Sequence, residues 1–135
     1  IEQRIEHMEK IRNLQDETGG FRAFIMWSFQ PKNTKLANSN KVSALDYMKT
    51  LAVSRIYLDN IKHIQGSWVT QGERIGQLTL GFGADDLGSI MLEENVVRAA
   101  GTAFEMSIDK MVKLIRGAGK IPAQRNTKYE ILKRF

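Results

Sequence analysis

The stretch FRAFIMW at residues 21–27 is a short and almost continuously apolar run, and it leads into the polar segment SFQPKNT at 28–34. Runs of this kind are typical of strands that are covered on both faces, as in parallel sheets. Pro31 ends the run because proline cannot donate to a strand ladder. The stretch therefore predicts a buried strand with a polar exit.

Helices are predicted before and after this strand in the sequence. Upstream, an apolar stripe at three- and four-residue spacing predicts a helix that ends at Thr18, and the stripe consists of Ile1, Ile5, Met8, Ile11 and Leu14. Downstream, Ser43 and Asp46 have a capping spacing that predicts the start of a second helix. Its inward residues are expected to be Leu45, Met48, Ala52 and Ile56.

The order of strand and helix then repeats twice. IQGSWV at 64–69 predicts a second strand, in which Gly66 leaves room for another backbone or a ligand. The capping box of Thr70 and Glu73 predicts a helix that stops at Gly83. LGSIML at 87–92 predicts a third strand, which runs directly into another helix.

The C-terminal end is predicted to be helical. One helix starts at Ser107, and the spacing of Thr127 and Glu130 predicts a terminal helix, with Pro122 in the linker between them. We therefore divide the chain into residues 1–106, a helix followed by three strand–helix units, and residues 107–135, a C-terminal helical extension.

This alternation predicts an α/β fold with parallel strands. Three strands alone would leave sheet edges and apolar faces uncovered, so we expect the chain to complete a larger sheet or barrel. Ile1 lies within a helical pattern and is not an initiator Met, which also favours a piece of a longer protein. An isolated piece is expected to self-associate through its open edge.

Composition limits the chemistry. The chain has no Cys, which excludes thiolate metal sites within these residues, and its two His, His7 and His63, are too few for a typical zinc site. No apolar run approaches the ~20 residues of a membrane helix.

From Asp109 onward there are eight Lys or Arg against two Asp or Glu. This basic end supports an alternative of another class, a non-catalytic module that binds nucleic acid or a partner protein, although no aromatic residues interleave for base stacking.

Polar side chains follow each predicted strand, at the edge where parallel α/β folds bind ligands. Amides, hydroxyls and two indoles at this edge would suit a nucleoside. The candidate contacts are Trp27, Ser28, Gln30, Asn33 and Thr34 after the first strand, Ser67, Trp68, Thr70 and Gln71 after the second, and Ser89, Glu93 and Glu94 after the third.

Structural roles stay open for several of these residues. Trp27 and Trp68 could fill the core, and Asn33 could form a turn beside Pro31. Carboxylates at a helix start, such as those of Glu93 and Glu94, favour the helix dipole without any chemical duty. Asp85 and Asp86, which follow a predicted helix stop, could likewise be loop residues.

Four collinear stretches that cover nearly the whole chain resemble C-terminal segments of one family, the dehypoxanthine futalosine cyclases, or cyclic dehypoxanthinyl futalosine synthases. They are LQDETGGFRAFIMWSFQPKNTKL at 14–36, LAVSRIYLDNIKHIQGSWVTQG at 51–72, FGADDLGSIMLEENVVRAAG at 82–101 and GKIPAQRNTKYEIL at 119–132. Aminofutalosine synthases and deazaflavin-cofactor synthases share the FGADD and EEN-like elements and are the alternatives within the same chemistry. WSFQPKNT, SWVTQG and PAQRNT favour the cyclase.

The resemblance implies the last three βα units and the terminal helices of a radical S-adenosylmethionine (SAM) (β/α) barrel of the TIM type. Such an enzyme uses a 4Fe-4S cluster, held by a CxxxCxxC motif, to cleave SAM reductively, and it closes the ring of a nucleoside-derived menaquinone precursor in the cytoplasm. That motif is missing here, so this chain alone is expected to bind no cluster and to be inactive. Glu93 and Asp85 are the implied candidates for a proton or for sugar hydroxyls. The implied substrate or SAM contacts are Trp27, Gln30, Asn33, Thr34, Trp68, Gln71, Ser89 and Glu94.

Overall fold

The computed structural model describes residues 2–31, 34–39, 42–90 and 106–135. Within them the chain forms helices and short strands in a mixed order. The elements are α1 (Glu2–Thr18), β1 (Ala23–Ile25), α2 (Ala44–Tyr57), β2 (His63–Gln65), α3 (Trp68–Gln71), α4 (Glu73–Thr79), α5 (Ile108–Gly117), β3 (Ala123–Arg125) and β4 (Ile131–Arg134). None of the helices in these ranges is long and apolar enough to cross a membrane.

A small parallel sheet lies at the centre of the fold. β1 pairs in parallel with β2, with Phe24 opposite Ile64. A third segment continues the sheet through a parallel bridge between Gln65 and Asp86, and the Gly66 amide donates to the Asp86 carbonyl at 2.9 Å. The prediction of neighbouring parallel segments is therefore confirmed, and the (β/α) context of a larger barrel stays a prediction.

The predicted strand bounds were too wide. β1 and β2 each have three residues, within or overlapping the predicted ranges 21–27 and 64–69. The predicted third strand at 87–92 is wrong over 87–90, which form no strand, and 91 and 92 lie outside the described residues. The contact to the sheet is instead made earlier, at Asp86.

Helices α1 and α2 cover one face of the sheet. Ser43 caps α2 as predicted, because its side chain accepts from the Asp46 amide at 3.1 Å. Met8 and Met48 are buried, as the stripes predicted, whereas Leu45 and Ile56 are 65% and 79% exposed, so their predicted inward orientation is wrong. The buried face of α2 consists of Tyr47, Met48, Leu51 and Ser54.

The segment after β2 begins its helix earlier than predicted. Ser67, not Thr70, caps the first turn and accepts from the Thr70 amide at 3.3 Å. Gly72, at φ +83°, separates α3 from α4, and Glu73 is the first residue of α4. The predicted capping box is therefore wrong. Ser67, six residues before Glu73, already starts a helix, and Gly72 ends that helix before Glu73 starts the next.

The C-terminal end combines one helix and one hairpin. Ser107 caps α5 as predicted, accepting from the Lys110 amide at 3.3 Å. The predicted terminal helix at Thr127 and Glu130 is wrong, because β3 and β4 pair as an antiparallel hairpin there. The helical description of residues 107–135 is thus correct only for α5, and the division of the chain at residue 106 stays a prediction.

Candidate functional site

The polar exits of β1 and β2 meet at the carboxyl edge of the sheet. The Gln71 side-chain amide donates to the Ser28 hydroxyl. Gln30 folds back onto the same residue, since its amide lies 3.1 Å from the Ser28 carbonyl oxygen and 3.3 Å from the Ser28 hydroxyl. Ser28 is buried, and Gln30 and Gln71 are half-buried. We call Ser28, Gln30 and Gln71 the amide rim.

A buried hydroxyl network lies beneath the amide rim. The Tyr47 hydroxyl donates to the Met26 carbonyl at 3.2 Å and accepts from the Ser67 amide at 2.9 Å. The hydroxyls of Ser67 and Thr70 lie 2.8 Å apart. Ser67 and Thr70 are both buried, so they shape the base of the rim rather than its surface.

The two tryptophans have different environments. Trp27 is 49% exposed and lines, beside Ser28, a cavity of about 440 Å³ between α1, β1 and α2. Trp68 is 2% exposed and packs in an apolar cluster with Leu87 and Met111. Trp27 is therefore available to a ligand, whereas Trp68 belongs to the core.

The remaining predicted contacts are dispersed. Thr34 is exposed and closes a turn, with its hydroxyl donating to the Pro31 carbonyl at 2.6 Å. Ser89 is exposed and lines a separate cavity of about 510 Å³ between α5 and the hairpin. The predicted sites that lie outside the described residues are Asn33, Glu93 and Glu94.

Asp85 lies at the amino-terminal end of the sheet, away from the amide rim. Its carboxylate accepts from the Ile64 amide at 2.8 Å and from Arg55, and His63 Nδ1 lies 2.6 Å from its second oxygen. Burial alone would raise the pKa of Asp85, but the His63 and Ile64 hydrogen bonds and the charge of Arg55 lower it below its ordinary value. These contacts join β2 to the loop after α4, and the candidate role of Asp85 toward a proton or sugar hydroxyls stays a prediction.

A second polar cluster, which the sequence did not predict, joins the hairpin to the sheet. Arg125 forms a two-pronged ion pair with Asp86, and its guanidinium lies 3.9 Å above the Tyr129 ring. The Tyr129 hydroxyl lies 3.3 Å from the same carboxylate, and its ring stacks on His63 with centroids 3.8 Å apart. Burial, with the negative charge of Asp86, raises the pKa of Tyr129 to about 12, so the phenol stays protonated and donates. The sequence contains Arg125, Tyr129 and the Asp85–Asp86 pair, but no local spacing connects them. The cluster could therefore not be predicted.

The donor set limits which cofactors this chain can hold. A 4Fe-4S cluster is normally held by Cys thiolates, and the chain has none. In the described ranges, no group of three or more His, Cys, Asp or Glu side chains is placed to hold a metal ion. The residues present therefore do not fit a cluster, whereas the amides, hydroxyl and indole of the carboxyl edge fit the polar and aromatic groups of a nucleoside.

The sequence matches the profile of one protein family over residues 18–134, a family described as the CofH/MqnC C-terminal region. The chain belongs to this family. It is 52% identical to the cyclic dehypoxanthine futalosine synthase of Halalkalibacterium halodurans over 135 residues, 100% of this chain and 36% of the relative. The synthase of the same name from Streptomyces coelicolor is 52% identical over 130 residues, 96% of this chain and 33% of that protein.

A relative that is named for a different activity is less similar. The aminodeoxyfutalosine synthase of Thermus thermophilus is 38% identical over 135 residues, covering 96% of this chain and 36% of the relative. The chain thus spans about a third of the length of the curated relatives that it matches. The resemblance to the cyclase family is confirmed, including the C-terminal position of the match within the family.

Proposed function

We propose that this chain is the C-terminal third of a cytoplasmic radical SAM enzyme that cyclises dehypoxanthine futalosine in menaquinone biosynthesis. The observation that carries the proposal is the 52% identity to a cyclic dehypoxanthine futalosine synthase along the entire chain. The amide rim supports it, because polar groups from two parallel strands meet at the edge where parallel α/β enzymes bind substrates.

In this proposal the chain binds and orients rather than starts the reaction. When bound in the full-length enzyme, the 4Fe-4S cluster and SAM would supply the radical that begins the cyclisation, and the cluster ligands would lie outside this chain. Trp27 offers an indole face to a base, and the amide rim offers hydrogen bonds to a base edge or sugar hydroxyl. Asn33, Thr34, Ser89, Glu93 and Glu94 remain proposed contacts of the substrate or SAM, and Asp85 remains a proposed group for a proton or a sugar hydroxyl. Trp68 packs in an apolar cluster.

The test is an activity assay of the full-length enzyme with Gln71→Leu. This change keeps the side-chain volume and removes the amide that donates to Ser28. We expect kcat/KM for dehypoxanthine futalosine to fall at least about tenfold. A loss of this size corresponds to roughly one charged or two neutral hydrogen bonds to the transition state. Gln77→Leu is the matched control, since Gln77 donates to the Leu114 carbonyl, between α4 and α5 and away from Ser28.

Three outcomes decide the proposal. Cyclised product from the wild type, with loss in Gln71→Leu but not in Gln77→Leu, supports it. Formation of aminodeoxyfutalosine instead would assign the enzyme to the sister activity that the Thermus relative carries by name. If neither product forms and the protein binds DNA or RNA with a steep salt dependence, the basic-module alternative replaces it.

Self-association of the isolated chain remains part of the proposal. In the described part of the sheet, β1 pairs on one side, with β2, and the apolar residues Phe21, Ile25 and Trp27 in and beside β1 are exposed. An unpaired edge with apolar neighbours favours pairing with another copy. Sedimentation of the isolated chain should show dimers or larger species, and a monomer at high concentration would contradict this part.

A further inference from the structure

Tyr47 occupies an unusual place between the two strand exits. It comes from α2, the helix that follows β1, and it is 1% exposed. Its hydroxyl bridges the first carbonyl beyond β1, that of Met26, and the amide of Ser67, two residues beyond β2. One phenol therefore continues the connection between the strands after their ladder has ended.

The protonation state of the phenol fits this bridge. Burial raises the pKa of Tyr47, and the hydrogen bond from the Ser67 amide only partly opposes that rise. The hydroxyl therefore stays protonated at neutral pH, as a group that both donates and accepts must. Removal of this buried hydroxyl, which both donates and accepts, leaves the Met26 carbonyl and the Ser67 amide without their partner.

The bridge fixes the spacing on which the amide rim depends. Ser28 lies two residues beyond Met26, and Gln71 lies four residues beyond Ser67, at the end of the helix that Ser67 caps. The two partners of the Gln71–Ser28 contact therefore each lie a few residues beyond a backbone group that the Tyr47 hydroxyl holds. A change in the separation of Met26 and Ser67 moves both partners of that contact.

We propose that Tyr47 is a positioning residue that sets the amide rim for the nucleoside substrate. This inference rests on the proposed function for the identity of the substrate. Its structural content, the control of the rim by the phenol, does not depend on that function.

The test compares Tyr47→Phe with Tyr57→Phe in the full-length enzyme. Both changes remove one phenolic oxygen from α2 and keep the ring. The Tyr57 hydroxyl donates to Glu9 of α1, away from the amide rim, at 2.9 Å. Hydrogen exchange by mass spectrometry follows peptides that cover residues 66–72, and steady-state kinetics follow the cyclisation.

In Tyr47→Phe we expect exchange in residues 66–72 to rise about tenfold and KM for the nucleoside to rise about fivefold, with kcat within about twofold. A rise in KM alone is the signature of lost uniform binding, and fivefold corresponds to one neutral hydrogen bond. Tyr57→Phe should leave exchange in 66–72 and KM unchanged. A purely structural role for Tyr47 would lower thermal stability without this split between KM and kcat.

Each result bears on one hypothesis. Equal exchange in residues 66–72 for the two variants, or an unchanged KM in Tyr47→Phe, overturns the positioning role. If the wild type does not cyclise the nucleoside, the proposed function fails, and the exchange comparison alone decides whether Tyr47 controls the rim.

Discussion

Arg125, on the C-terminal hairpin, holds both carboxylate oxygens of Asp86, the residue through which the third parallel segment joins β2. The two residues are 39 positions apart in the sequence. Their side chains are 24% and 12% exposed, so the pair is largely removed from water. The hairpin is thereby fastened to the third parallel segment, at the residue that pairs with Gln65, the last residue of β2.

Asp86→Asn should destabilise the protein by about 2–3 kcal/mol, because it leaves the guanidinium of Arg125 without its charged partner in a largely buried site. Denaturant unfolding of the variant measures the loss. Asp59→Asn is the matched control: Asp59 also pairs with an arginine, Arg12, but its side chain is 67% exposed. We expect no measurable change in stability for Asp59→Asn. Equal losses in the two variants would show that the Arg125–Asp86 pair contributes no more than an exposed ion pair.

Asp85 should make stability depend on pH in the acid range. Its pKa in the folded protein lies below the ordinary value of 3.8, so the folded state binds its proton less readily than the unfolded state does. The stabilisation is therefore fully present above about pH 4 to 5 and is lost as pH falls through 3.8 towards the folded pKa.

The measurement is urea unfolding of wild type and Asp85→Asn between about pH 3 and 7. Near neutral pH the variant should be less stable than the wild type, and the difference should shrink as pH falls, because protonated Asp85 resembles Asn. A difference that stays constant over this range would show that the carboxylate charge contributes nothing.

The hairpin shows why the C-terminal end was not predictable. Thr127 and Glu130 have capping-box spacing, but Asn126 uses the same region for a turn: its side-chain oxygen accepts from the amides of Lys128 and Glu130 at 2.8 and 3.1 Å. Tyr129 adopts φ +66°, which a right-handed α-helix does not allow. A four-residue spacing cannot decide between these structures, because the turn is stabilised by contacts of Arg125 and Tyr129 with distant residues.

Gly66→Ala should destabilise the protein through close packing between β2 and α4. A Cβ atom on Gly66 would overlap the Thr79 hydroxyl and lie 2.7 Å from the Thr79 Cβ, and Thr79 is fully buried. Overpacking of this kind costs about 1–3 kcal/mol. Gly81→Ala is the control, because among the described residues a Cβ there meets the Leu78 carbonyl oxygen alone, at an ordinary contact distance of 3.5 Å. Thermal unfolding should separate the two, and equal stability would show that the sheet and helix adjust freely.

Gly66 also illustrates what the sequence could and could not predict. An interior glycine in an apolar run predicted a close approach, and the parallel arrangement of the runs and the meeting of their polar exits were predicted as well. The identity of the close neighbour, Thr79, could not be predicted because it depends on where α4 packs. The predicted inward face of α2 was wrong for a similar reason. Hydrophobicity alone favours Leu45 and Ile56 as the buried residues, whereas hydrogen bonds allow Tyr47 and Ser54 to be buried instead.

The two tryptophans should separate stability from binding. Trp68→Ala removes a fully packed side chain from the cluster with Leu87 and Met111 and should cost about 3–5 kcal/mol. Trp27→Ala removes a half-exposed ring and should cost less than about 1 kcal/mol. In the full-length enzyme, Trp27→Ala should instead raise KM for the nucleoside, because the indole face beside Ser28 is lost. Unfolding curves and steady-state kinetics on both variants check this division. A Trp27→Ala enzyme that unfolds as readily as Trp68→Ala, or that binds substrate as the wild type does, would remove Trp27 from the pocket wall.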